Sequence, residues 1–319
     1  MKLWDSSAAG TPLDAGERPE ASEGPSERQR MFSYLGLALG IIGLGFSAIF
    51  VTWAAAPGAV SSLYRMAIAI ALLAVPALRR LRARRPLPTA CVRYAVLAGV
   101  FFALDLGLWA SGVIISGATD PTLLANTAPV WVGLGALFIY RRKLGRGFWL
   151  GLAVALAGSG AVLGIDALRS IVLGSGSLLG LTAGVFYGAY ILATEHGRKG
   201  LDSLSYFWIS GLVSTMVLLA YVFMAGLPLV GYPPRSYLNF LAMGVVAQTI
   251  SYLAINYALG YLPATVASPT LLIQPVLTAL LAGPLLGERV SVGQAVAGMV
   301  VLVGIFIVHR SHQPPSRLP

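Results

Sequence analysis

Between Phe32 and His309 polar residues are so sparse that the chain reads as a succession of long apolar runs separated by short polar turns. A bilayer's hydrocarbon core, about 30 Å thick, is crossed by a helix of roughly 20 apolar residues. Runs near that length are predicted at 32–54, 57–78, 91–113, 118–140, 147–166, 175–195, 204–226, 236–258, 263–286 and 290–309. They are continuous rather than alternating, which predicts helices and argues against a membrane barrel, whose strands alternate in polarity over about ten residues. Glycine and proline inside the runs do not count against helices, because both are more frequent in membrane helices than in soluble ones.

The second half of this pattern repeats the first about 146 residues later. Ala118-Thr119 finds Ala264-Thr265, Pro129-Val130 finds Pro275-Val276, and Gly158 finds Gly304, while Thr122-Leu123-Leu124 and Thr270-Leu271-Leu272 are offset by two residues more. Ten spans then fall into two groups of five. An odd number per repeat forces the second copy to enter the membrane upside down, the inverted topology that recurs in secondary transporters. The expected fold class is an all-α integral membrane protein of ten transmembrane helices in two inverted five-helix repeats. Its expected organisation is a disordered cytoplasmic tail at 1–30, a first repeat at 31–166, a linker at 167–174, a second repeat at 175–309 and a cytoplasmic C-terminal tail at 310–319. Residues 1–30 are polar, proline-bearing material with little to bury.

Composition agrees with a membrane class. Hydrophobic residues make up 57% of the chain and charged residues only 11%, with a mean hydropathy of +0.78; a soluble domain carries about 25% charged residues. The net charge of +10 comes from arginine and lysine gathered in alternate turns, at residues 79–85, 141–146 and 198–199 and at the two ends. Basic residues near short loops stay on the cytoplasmic side, which predicts a multi-pass protein of a bacterial-type plasma membrane with both termini inside. It also makes nucleic acid an unneeded explanation of the charge. Cys91 is alone, so no disulfide or cysteine metal site forms within one chain. His196, His309 and His312 all fall at span ends, and no phosphate-binding loop is present, so no catalytic, metal or cofactor site is expected.

Leu104-Asp105-Leu106-Gly107-Leu108-Trp109, the run Ala118 to Pro129, and the stretch from Pro275 through Gly287-Glu288-Arg289 to Gly304 resemble EamA-type members of the drug/metabolite transporter superfamily. The resemblance covers residues 32–309 and implies a ten-helix inverted repeat with cytoplasmic termini that moves small metabolites, often outward. Where the second copy has Gly287-Glu288-Arg289, the first has Arg141-Arg142-Lys143, so Glu288 is expected to serve a turn or interface rather than chemistry.

Ionisable and amide side chains inside spans are costly and mark function. Asp105 lies one helical turn before Trp109, so the two share a face. Arg65 sits well inside the second span, either to bind an anionic group or to pair with Asp105 or Asp120. Gln248, Tyr252 and Asn256 recur every four residues and predict one polar stripe on the eighth span. Asn126 and Gln274 stand beside the prolines Pro129 and Pro275, which free backbone carbonyls one turn earlier, as in the broken helices of transporters. Trp53, Phe186, Tyr187 and Tyr190 are candidate cavity aromatics, whereas Asp120, Asp166 and Glu195 are expected in solvent near span ends. The expected substrate-binding set is therefore Asp105, Trp109, Asn126, Tyr187, Tyr190, Gln248, Tyr252, Asn256 and Gln274, with Arg65, Pro129, Pro275 and Glu288 structural. The expected activity is a secondary active or facilitative carrier of a small metabolite or drug working by alternating access, in the export direction by resemblance, with a proton as candidate coupling ion. A membrane-embedded enzyme and a channel or scaffold are the rival classes.

Overall fold

A computed structural model of the protein describes residues 25–84, 86–116, 119–163, 174–286 and 291–312. Among these residues ten helices are long and apolar enough to cross a membrane, and no strand occurs. They are α1 (Glu27–Ala54), α2 (Gly58–Ala83), α3 (Thr89–Ser116), α4 in two pieces (Thr119–Ala125 and Ala128–Phe138) and α5 (Arg146–Leu163). The second set is α6 (Ser175–Gly197), α7 (Ser203–Met224), α8 (Pro234–Ala258), α9 in two pieces (Ala264–Thr270 and Ile273–Leu286) and α10 (Val292–Ser311). Glu288, Asp166 and the tail before residue 25 lie outside the described residues.

Helix ends follow capping rather than hydropathy. α1 begins five residues before the apolar run because the Ser26 hydroxyl accepts the Gln29 N–H at 3.2 Å while the Gln29 side chain accepts the Ser26 N–H at 2.9 Å. α2 continues through the arginines to Ala83, where cations favour the C-terminal end of the helix dipole.

The packing has the symmetry of an inverted repeat. α1 packs on α8 as α6 packs on α3; α1 on α9 as α6 on α4; α2 on α8 as α7 on α3; and the pairs α2–α7 and α5–α10 map onto themselves. The most extensive contacts thus run between the two sets of five, with α2–α7 and α5–α10 flanking a centre made of α1, α3, α4, α6, α8 and α9. Lipid supplies no hydrophobic force between helices, so close approach through small residues holds them. Gly304 lies against the backbone of Gly151 and Ala155, and Gly158 against that of Ala297 and Val301, which closes α5 on α10. The outer surface is apolar: Phe138, Met224, Met299 and Phe306 are all exposed, as expected where the surrounding medium is hydrocarbon.

Two elements depart from regular α geometry, and both adjoin the centre. α4 and α9 break at equivalent places, after Ala125 and after Thr270. Pro129 and Pro275 follow each break; lacking an N–H, they cannot bond the carbonyls of Ala125 and Leu271 in the regular i to i−4 manner. In α8 the segment Met243–Ile250 is a π-helix, in which the Thr249 and Ser251 hydroxyls donate to the carbonyls five residues back at 2.7 and 2.8 Å. Such wide turns occur often at functional sites.

Candidate functional site

The breaks and the inner faces of seven helices line a partly open cavity of about 290 Å³. α1 contributes Ser47, α2 Arg65, α3 Asp105 and Trp109, α4 Thr122 and Asn126, α6 Tyr187, α8 Tyr252 and α9 Gln274. The chain therefore brings together six of the nine residues expected to bind substrate, Asp105, Trp109, Asn126, Tyr187, Tyr252 and Gln274, and adds Arg65 to them. Asp105 and Trp109 reach it together because i and i+4 share a helix face.

Each wall has a local cause. α6 presents Gly180, Gly184 and Gly188 to α4, and a Cβ at Gly184 would sit 3.0 Å from the carbonyl oxygens of Leu124 and Ala125 and from the Thr127 hydroxyl. Only glycine lets the broken backbone of α4 come so close. The break is ordered by the Thr127 hydroxyl, which donates to the Leu124 carbonyl at 2.6 Å and accepts the Trp131 indole N–H at 3.2 Å. Trp109 is fixed across the α3–α4 interface by its indole N–H donating to the Thr122 hydroxyl at 3.0 Å. Behind the cavity-lining Tyr252, Phe102 tilts against its ring at 4.8 Å between centroids and stacks on Tyr190 at 4.6 Å.

The charges are arranged unusually for a membrane interior. Asp105 and Arg65 are 8% and 6% exposed, yet they make no ion pair with each other. Among the described residues Arg65 donates from Nη1 to the Ser47 hydroxyl at 3.3 Å and interacts with the Tyr252 hydroxyl, while its Nε is left without a partner. The described residues give the Asp105 carboxylate no hydrogen-bond donor; Arg65 is the charge whose field acts on it. Asn126 likewise has a buried amide nitrogen with no partner. Native proteins leave few buried polar groups unsatisfied, so donors and an acceptor left over around one cavity are groups that a polar guest can satisfy.

Of the remaining expected site residues, Tyr190, Gln248 and Asn256 do not line this cavity. Asn256 donates to the Tyr190 hydroxyl at 3.3 Å and to the Tyr252 carbonyl at 2.8 Å, inside the packed core. Gln248 is fully buried in the π-helical segment with both amide atoms unpartnered. The spacing of four that predicts a single stripe assumes α geometry, and the π segment rotates Gln248 away from Tyr252's face. Trp53 is 42% exposed and does not line the cavity, and Phe186 packs beside Phe101.

The end of the bundle where α1 begins is closed by residues that the sequence placed in solvent. Glu195 is only 9% exposed. Its carboxylate takes a bidentate pair from Arg142, at 2.6 and 3.1 Å, and accepts the Ala264 N–H at 3.3 Å. That one side chain ties the α4–α5 turn, the end of α6 and the start of α9. Tyr140 and Tyr94 sandwich His196 next to it, with centroids 3.9 and 5.5 Å away. Burial, with Tyr94 and Glu195 adding to it, pushes the Tyr140 phenol up to about 12, so the ring stays neutral. The signal available in the sequence was an opposite-charge pair near two span ends that meet only in the fold.

Residues 174–310, which comprise the second set of five helices, match the EamA-like transporter family. This half of the chain is similar to EamA-like transporters. An uncharacterized transporter of Clostridium kluyveri is 23% identical over 236 residues, covering 70% of this chain and 74% of its own. A solved crystal structure superposes with a TM-score of 0.72 at 16% identity, covering 88% of this chain and 97% of that one, and shares the fold. The EamA match accounts for α6 to α10, and the symmetry of the contacts extends the same architecture to α1 to α5. With ten helices long and apolar enough to span a membrane and a similarity to transporters, the chain is a multi-pass membrane transporter of a small-molecule solute.

Proposed function

We propose that this transporter is a secondary carrier that moves a small polar or amphipathic metabolite across the plasma membrane by alternating access, in the export direction. The observation that carries the reading is the unpaired Asp105 lining one cavity together with Arg65, with the unpartnered amide nitrogen of Asn126 beside the break in α4. A carboxylate and a guanidinium held apart can bind a solute bearing both signs of charge, and Trp109, Tyr187 and Tyr252 can pack on its apolar part. A volume of about 290 Å³ stands at the lower limit of drug-sized pockets, which begin at about 300 Å³, so a metabolite is favoured over a bulky drug. Asp105 is also the candidate carrier of a coupling proton. Asn256, bonded to the Tyr252 carbonyl, supports the cavity from behind.

We take 31–166 and 175–309 as the two repeats, with the cytoplasm on the side where α1 begins, because the arginines of the turns gather there. The Arg142–Glu195–Ala264 cluster then closes the cytoplasmic end in this conformation, and alternating access requires it to part when the cavity opens there. Chemical turnover has no residues to support it in this reading, and no enzyme activity is proposed. A panel of small metabolites assayed in proteoliposomes, with and without a pH gradient, tests the proposal. Saturable transport of one class is expected, and Asp105→Asn is expected to lose it while reaching the membrane folded. Undiminished, equally pH-dependent transport by that variant would remove Asp105 from the mechanism.

A further inference from the structure

A second and larger hollow, of about 1140 Å³, lies on the flank of the bundle, away from the solute cavity. α1 and α2 are joined by the short turn at 55–57 and touch little beyond it, so they diverge toward the end where α1 begins. α8 forms the floor between them, through Ile250, Leu253 and Tyr257. The α1 wall is Phe32, Leu35 and Leu39, all exposed and spaced along one helix face. At about 1.5 Å per residue that face runs inward from the membrane surface for roughly 10 Å. The groove is therefore open sideways to the bilayer.

The mouth of the groove is basic. Arg80 and Arg84, 62% and 59% exposed, share one carboxylate, that of Asp202, at 3.7 and 3.8 Å. Lys199 is exposed beside them and makes no ion pair among the described residues. Arg198, buried at the back, bonds only carbonyls: its Nε–H donates to that of Asn256 at 2.8 Å, and Nη1 donates to that of Leu201. Four cations thus stand against one carboxylate at the level where α1 starts and α2 ends, which is the level of lipid headgroups. Turn arginines that serve topology alone need no apolar channel beneath them.

We infer that this groove is a binding site for an anionic phospholipid, its phosphate at Arg80, Arg84 and Lys199 and an acyl chain laid along Phe32, Leu35 and Leu39. Both halves of the ligand find their chemistry: a negative headgroup meets the surplus charge, and a hydrocarbon tail meets the apolar wall. Basic pockets between spans bind anionic headgroups in this manner, at about 1 kcal/mol for each basic residue. The site is independent of the solute cavity and does not rest on the reading of transport.

The test uses the full chain in detergent, titrated with phosphatidylglycerol or with phosphatidylcholine of the same acyl chains, with bound lipids counted by native mass spectrometry and melting followed in parallel. Phosphatidylglycerol is expected to be retained and to raise the melting temperature, and phosphatidylcholine to do neither. The variant Arg84→Gln/Lys199→Gln, altered only at exposed side chains, is expected to bind phosphatidylglycerol about thirtyfold more weakly while melting unchanged in phosphatidylcholine. A Leu35→Asn/Leu39→Asn variant is expected to weaken binding with the charges intact. Equal retention of the two lipids, stabilisation reproduced by inorganic phosphate or glycerol 3-phosphate alone, or binding unaffected by the Arg84/Lys199 variant would each overturn the assignment.

Discussion

Glu195→Gln is the sharpest test of how the bundle is held shut. Gln keeps the size of the side chain and can still accept the Ala264 N–H, but it removes the negative charge that takes the two bonds from Arg142 at 2.6 and 3.1 Å. A hydrogen bond to a charged group contributes about 1.5–3 kcal/mol. The Arg142 side chain is 29% exposed and Glu195 10%, so solvent screens part of this, and Arg142 retains its contact with the Tyr140 ring at 5.8 Å. About 2 kcal/mol is a fair net loss for the closed arrangement. At about 1.4 kcal/mol per tenfold, the population open at this end rises roughly thirtyfold, provided that the open form lacks the pair. The readout is alkylation of Ala125→Cys, a cavity position, in a Cys91→Ser background, by a bulky membrane-impermeant maleimide applied in turn to each face of sealed vesicles. Glu195→Gln should accelerate labelling from the face where α1 begins and slow it from the other. Arg142→Gln should do the same, and the two together should do no more than either alone. Unchanged rates from both faces, or additive effects of the two substitutions, would show that the pair is a surface ornament rather than a closure.

Gly184→Leu is expected to lower the melting temperature and abolish transport, because the new side chain must displace the Leu124 and Ala125 carbonyls that it would meet at 3.0 Å; overpacking of this kind costs about 1–3 kcal/mol, and Gly145→Leu, in open space at a turn, is the control. Asp202 caps α7 by accepting the Ser205 N–H at 3.1 Å. Burial raises its pKa, but bonds from the Ser205 hydroxyl and N–H, with Arg80 and Arg84, outweigh that and hold it below the ordinary value of 3.8. A depressed carboxylate adds stability above the unfolded value that is lost as pH falls through the folded one. Asp202→Asn, which preserves the cap, should therefore destabilise at neutral pH, begin to converge with the parent in melting scans as pH falls below about 4 and meet it only below the depressed folded value, while Asp202→Ala should lose about a further 1 kcal/mol with the cap.

The spans and the two breaks were legible because each rests on a one-dimensional signal: run length against bilayer thickness, and proline register across the repeat. Asp105 and Trp109 were legible for the same reason, since helical spacing puts them on one face whatever surrounds them. What was not legible depends on pairing between distant segments or on non-ideal geometry. Glu195 sits near a span end and reads as solvated until the α4–α5 turn delivers Arg142 and α9 delivers the Ala264 N–H. Arg198 reads as a topology charge, yet it is 9% exposed and bonded to α8. The four-residue stripe loses Gln248 to a π-helical segment, whose wider turn nothing in the residue types announces, and Asn256 to its bonds with the Tyr190 hydroxyl and the Tyr252 carbonyl in the core. Arg65 and Asp105 reach the same cavity, but the direct pairing between them that the sequence suggested does not form.

The exchange of partners between the two sets of helices bears on how such a chain can arise. α1 rests on α8 and α9, and α6 on α3 and α4, so neither five-helix unit completes its own interior. A half-length precursor would have had to meet a second copy of itself lying the opposite way up, and so to enter the membrane in both directions with nearly balanced basic residues at its two ends. Joining the copies into one polypeptide removes that constraint. Each unit then needs only one direction of entry, arginines can accumulate on a single face, and the two copies are free to differ, one carrying Asp105 where the other carries Ser251.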